Sequence, residues 1–216
     1  MTTTHEIKME DGTMVKTVAV YVHHRRKETL RPFLQRMYET SDMVIGLNME
    51  WSSSPHEKVA LLKPCSGVGC ALIQLDLQDT KSPSYLNNLL ANDDVIFAGV
   101  HLKERLKLLR KTYGFKIKNA VDLSVMAASV LHQPRLGAYG VRRLASEVLC
   151  QQWKPRPLSI TDEDWPARHA ELILNKSRFN KDQIECPTVE AYAAYKTAKR
   201  LLSEEIVPKT FEFISL

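Results

Sequence analysis

Apolar and polar positions alternate with period two near the start of the chain and shift to helical spacing soon after. Ile7 and Met9 precede the turn signal Asp11-Gly12, and Val18, Val20 and Val22 alternate after it, which predicts a β-hairpin over residues 5–22. Leu30, Phe33, Leu34 and Met37 share one face of a helix over residues 28–37. The apolar run from Met43 to Leu47 suits a buried strand, and Lys58–Lys63 and Cys70–Leu75 are two further strand candidates around the turn at Gly67-Val-Gly69. Three strands in succession with short loops predict an antiparallel meander. The pattern then changes. Helices are expected at 83–90 and 102–113, with strands at 95–99 and 119–123. Further helices follow at 124–131, 140–149 and 165–174, and a long last one at about 182–204. Loops are expected at 52–56, 133–137 and 151–159. Strands first and helix–strand alternation later predict an α/β chain, a mixed sheet flanked by helices.

Residues 207–216 hold Phe211, Phe213 and Ile214, an apolar end that is a liability in water. It is expected to dock, either on its own domain or on a neighbouring subunit.

The chain has 216 residues, 44% of them hydrophobic, enough for one full core, so a single domain over 1–216 is expected. A charged fraction of 25% argues against a disordered chain. No apolar run approaches the roughly 20 residues that span a bilayer, so no membrane partner is expected. The start, Met1-Thr-Thr-Thr-His-Glu, lacks a basic segment followed by an apolar one, so no secretory signal is expected. Cys65, Cys70, Cys150 and Cys186 form no pair of closely spaced pairs, which argues against structural zinc. Reduced thiols and a cytoplasmic or nuclear location are the plain expectation. A net charge of +5 is compatible with a phosphate-rich partner without requiring one.

Several stretches together resemble the Werner-type 3′–5′ exonuclease family over residues 43–202. Ile45-Gly-Leu-Asn-Met-Glu-Trp51 resembles the first motif, an apolar strand ending in Asp-x-Glu and followed by Trp. Lys58-Val-Ala-Leu-Leu62 and Cys70-Ala-Leu-Ile-Gln-Leu75 resemble the next two strands, and Phe97-Ala-Gly-Val100 with Leu102-Lys103 the second motif. Asn119-Ala-Val-Asp-Leu123, Leu144-Ala-Ser-Glu-Val-Leu149, Gln183-Ile-Glu and Glu190-Ala-Tyr-Ala-Ala-Tyr-Lys196 resemble the later strand and helices in order. The resemblance implies a ribonuclease H-like (DEDD exonuclease) mixed sheet with helices on both faces. It also implies hydrolysis at a 3′ end by two Mg²⁺ or Mn²⁺ ions about 3.5–4 Å apart, held by carboxylates.

Four carboxylates and a water-orienting tyrosine are implied. On this chain those positions fall on Asn48, Glu50, Arg105 and Glu190, with Cys186 in place of the tyrosine. Only Glu50 is unchanged and Glu190 is conservatively replaced, so the four ligand positions sum to −1 instead of −4. Glu50 and Glu190 are the remaining metal-ligand candidates. Arg105 places a fixed cation where an anion is needed, because guanidinium keeps its proton. Asn48 can lend only a neutral carbonyl oxygen, and a thiol at Cys186 orients water weakly. Two-metal binding is therefore expected to be weak or lost, and hydrolysis absent or very slow.

A cleft relieved of negative charge is better suited to a phosphate chain. Arg105 is a candidate clamp, with Lys103 on the same helix and Arg142 and Arg143 ahead of a helix that faces the substrate strand in the family. Lys103, Lys107, Arg110 and Lys111 read equally as a solvated face. Trp51 could stack on a terminal base or pack at the rim. His101 and Asp122 lie near the same region, the latter read as a structural hydrogen-bonding residue. Three functions compete: a degenerate exonuclease domain that binds a single-stranded RNA or DNA end without cutting, an active metal-dependent exonuclease, and a structural subunit in a homo-oligomer or beside related exonuclease subunits.

Overall fold

The computed structural model of the chain describes residues 2–21, 27–39, 43–52, 58–75, 84–153, 179–203 and Ile214. Its strands are β1 (Thr2–Lys8), β2 (Met14–Tyr21), β3 (Val44–Ser52), β4 (Lys58–Ser66), β5 (Gly69–Gln74), β6 (Ile96–Gly99) and β7 (Ala120–Asp122). Its helices are α1 (Lys27–Tyr38), α2 (Ser84–Leu90), α3 (Leu102–Tyr113), α4 (Leu123–Val130), α5 (Val141–Leu149) and α6 (Lys181–Leu201). The helix expected at 165–174 lies outside the described residues.

The strands form one sheet in the order β1-β2-β5-β4-β3-β6-β7. β3, β4 and β5 are the expected antiparallel meander. β6 and β7 join parallel to β3, and the β1–β2 hairpin joins parallel to β5. Five strands in the order β5-β4-β3-β6-β7, with β4 reversed, form the ribonuclease H-like core. Helices cover both faces. Leu30, Phe33 and Leu34 of α1, Leu86 and Leu90 of α2, and Leu102, Leu106 and Leu109 of α3 pack on Leu47, Met49 and Leu62. α4, α5 and α6 cover the opposite face around Val121, Met126, Leu144 and Ala194. Among the described residues no helix is long and apolar enough to cross a membrane.

The structure corrects two expectations. The loop expected at 133–137 holds most of a 3-10 turn, Pro134–Ala138, opened by Pro134, whose fixed φ suits its first position. Cys65 and Cys70, expected as reduced thiols, are joined in a disulfide. They sit opposite each other across the β4–β5 hairpin with Cα atoms 4.1 Å apart, the close spacing of a non-hydrogen-bonded cross-strand pair. Of the apolar tail only Ile214 is described. Its backbone N–H donates to Ala120 O at 2.9 Å on the edge strand β7, and its side chain packs on the core of its own chain.

Candidate active site

Alternation along β3 sends Leu47 and Met49 into the core beneath α1 and α3 and turns Gly46, Asn48 and Glu50 toward α6. Gly46 is what lets α6 lie so close. A Cβ there would run into the backbone of Tyr195 and Ala191. α6 is fixed at its start by a capping box, in which Asn180 Oδ1 accepts from Gln183 N at 2.9 Å and Gln183 Oε1 accepts from Asn180 N at 2.8 Å. Cys186 and Glu190, four residues apart, share the helix face that meets β3 and β4.

β3 continues beyond its last pairing with β6, Gly46 with Ala98, and the side chain of Arg105 from α3 reaches its backbone there. Arg105 Nη1 donates to Asn48 Oδ1 at 3.0 Å and to Met49 O at 3.4 Å. Guanidinium has only donors, so the atom facing it is the carboxamide oxygen. The same oxygen accepts from Met49 N at 2.7 Å, while Asn48 Nδ2 donates to Glu190 Oε2 at 3.3 Å. The carbonyl oxygen that Asn48 could have lent to a cation is already engaged. The pairing of β3 with β4 shifts between Glu50 and Trp51, an irregularity of the kind that re-aims a side chain. The Trp51 ring lies 4.6 Å from Arg105 Cζ, within cation–π range.

The residue that sequence reasoning missed is Lys63. It stands on β4 in register with Asn48 and has no exposed surface. Its Nζ donates to Glu50 Oε1 at 2.5 Å and to Glu190 Oε2 at 2.9 Å, bridging the two carboxylates that the sequence offered as metal-ligand candidates. Burial alone would lower the lysine pKa, but the two carboxylates outweigh it and hold the ammonium above its ordinary range. Arg142 of α5 adds a further cation, with Nε 3.6 Å from Glu190 Oε1 and Nη2 donating to Cys186 O at 3.3 Å. Cys186 Sγ points at Glu190 Oε1 at 3.9 Å. The cluster among the described residues holds two carboxylates against three cations, a formal charge of +1.

Asn48, Glu50, Trp51, Arg105, Arg142, Cys186 and Glu190 thus come together around Lys63. The remaining candidates stand apart. Lys103 is exposed on α3. Arg143 is exposed and stacks on Tyr139, with Cζ 3.9 Å from the ring and Nη2 donating to the hydroxyl at 3.2 Å. Asp122 spends both oxygens on helix starts. Oδ2 accepts from Leu102 N at 2.9 Å at the head of α3, and Oδ1 accepts from Ser124 N at 3.1 Å in α4. His101, in the left-handed region at φ 53°, makes no side-chain cap.

Comparison with known proteins bears on the family of the chain. A family model described as 3′–5′ exonuclease matches residues 21–170. Exonuclease 3′-5′ domain-containing protein 2 of Drosophila melanogaster is 28% identical over 141 residues, 61% of this chain and 24% of the relative. Protein RISC-INTERACTING CLEARING 3′-5′ EXORIBONUCLEASE 1 of Arabidopsis thaliana is 24% identical over 150 residues, 65% of this chain and 74% of the relative. The match thus spans about a quarter of the insect protein's length and most of the plant protein's. A crystal structure of the EXD2 exonuclease domain soaked in Mn and Mg is 24% identical, with a TM-score of 0.46, covering 73% of this chain and 85% of that one. The chain belongs to the 3′–5′ exonuclease family.

Proposed function

We propose that this chain is a nucleic-acid-binding protein of exonuclease fold in which phosphodiester hydrolysis is absent or very slow. The observation that carries the reading is the Arg105 guanidinium seated on the Asn48 oxygen at 3.0 Å. An anionic oxygen facing a metal is needed at that point, and a fixed cation facing a neutral amide stands there instead. Repulsion between such a cation and a divalent ion a few ångströms away is on the order of several kcal/mol at an effective dielectric of about 20. The side chains present do not fit a pair of Mg²⁺ or Mn²⁺ ions, so a two-metal reaction finds no seat among them.

The same substitutions suit a phosphate chain. Arg105 and Trp51 stand side by side and partly exposed, one able to donate to phosphate oxygens and the other presenting an aromatic ring to a base. Family membership supports a nucleic-acid end as the ligand, and one relative is named as an exoribonuclease. A single strand labelled away from its 3′ end and incubated with Mg²⁺ or Mn²⁺ is expected to stay intact. A ladder of shortened products that Glu50→Ala abolishes would overturn the proposal in favour of an active enzyme. Binding of the strand is expected to weaken with salt. Arg105→Ala should lower affinity and reduce the slope of log K against log salt by about 0.7, one phosphate contact on a single strand.

A further inference from the structure

We infer that Lys63 is the resident cation of this cleft: its ammonium stands between Glu50 and Glu190 where a divalent ion would otherwise be held, and it shuts such ions out. This deepens the non-hydrolytic reading of the same site and rests on it. Arg105 and Asn48 only weaken a cation's hold. Lys63 takes the oxygens themselves, with Nζ 2.5 Å from one carboxylate and 2.9 Å from the other.

The side chain is built into the sheet. It is paired in register with Asn48 on β3, and it reaches the carboxylates from within the sheet. With no exposed surface it cannot swing aside without moving β4. An ammonium has three donors and no acceptor, so it serves carboxylates as a cation does and cannot itself bind a metal while protonated. Without it, two carboxylates drawn to one spot would repel each other and seek another cation.

The test uses the full chain and Lys63→Met, an unbranched side chain one atom shorter that removes the charge. Thermal midpoints are read in chelator and in Mn²⁺ at matched ionic strength. The wild type is expected to show the same midpoint in both. Lys63→Met is expected to melt lower in chelator and to rise by roughly 5–10 °C when Mn²⁺ is about a hundredfold above its dissociation constant. Adding Glu50→Gln and Glu190→Gln should abolish that rise. If Lys63→Met does not fold, Lys63→Gln, which can hydrogen-bond both carboxylates, is held to the same criterion. A folded Lys63 variant indifferent to Mn²⁺ overturns the assignment and leaves the non-hydrolytic reading standing. Saturable Mn²⁺ binding by the wild type that Glu50→Gln removes also overturns it. Laddering by the wild type is a separate result and strikes the reading of the cleft itself.

Discussion

A lysine with no exposed surface is tolerable only where its charge is answered, because desolvating an ammonium is expensive. Lys63 is answered twice, by Glu50 and by Glu190. Removing it should therefore destabilise the chain more than removing the whole charged group. Urea unfolding in chelator is expected to show Lys63→Met less stable by about 3–5 kcal/mol, with a substantial part recovered when Glu50→Gln and Glu190→Gln are added. The five positions read from the order and spacing of the sequence, Asn48, Glu50, Arg105, Cys186 and Glu190, lie close together in the fold. Lys63 was not among them. It reads as the polar end of a strand because Pro64 follows, and proline argues against a central strand. In the molecule β4 runs on to Ser66 between two neighbours, and its pairing with β5 skips Lys63 and Pro64. A signal was available in the register: antiparallel pairing of the first motif with the next strand places Lys63 opposite Asn48.

At the scale of elements, the meeting of β3 and α6 decides whether the motif residues converge. Gly46→Ala forces a Cβ into the α6 backbone, which cannot move as a flexible side chain would. The variant is expected to lose about 1–3 kcal/mol, read by chemical denaturation, and to separate Glu190 from Asn48 and Lys63. Strand β3 was expected from the apolar run Met43 to Leu47 and helix α6 at about 182–204, and both are present. Their contact was not legible, since nothing local in Ile45-Gly-Leu announces that a helix some 150 residues later in the chain will need the space. Asp122 shows the reverse case. Its structural role follows from its place at the head of α4, and the structure adds the start of α3 as a second helix under the same carboxylate.

Across the whole molecule, the β1–β2 hairpin extends the sheet and is tied to α6 at its tip. Tyr192 donates its hydroxyl to Asp11 Oδ2 at 2.9 Å, and Lys196 Nζ lies 3.6 Å from the same oxygen. The hairpin was legible from Asp11-Gly12 and its alternating valines, but its parallel seat beside β5 depends on contacts distant in sequence. Burial, helped by the nearby Asp11 carboxylate, pushes the Tyr192 phenol from 10.0 up to about 12. Between those two values the folded chain keeps a proton that the unfolded chain has begun to lose, so stability should fall as pH rises across that window. Lys63, also held high, contributes to the same loss. The difference between wild type and Tyr192→Phe in unfolding free energy against pH isolates the tyrosine, and the variant should show the shallower decline. At the acid end burial raises Asp11, but its bonds from Thr13 and Tyr192 and the charge of Lys196 prevail and hold it below 3.8. That contribution is present above the unfolded value and is lost as pH falls through the lower folded one.

The bridge between Cys65 and Cys70 bears on more than its own hairpin. Side chains change sides with every residue of a strand, so a slip of β4 by one position would swing Lys63 away from α6 and into the apolar layer beneath α3. Two carboxylates would be stranded on one side and an ammonium on the other. Cys65 is only two residues from Lys63 and its bond to Cys70 locks the offset of β4 against β5, so a covalent staple between these two strands guards the pairing of charges in the cleft.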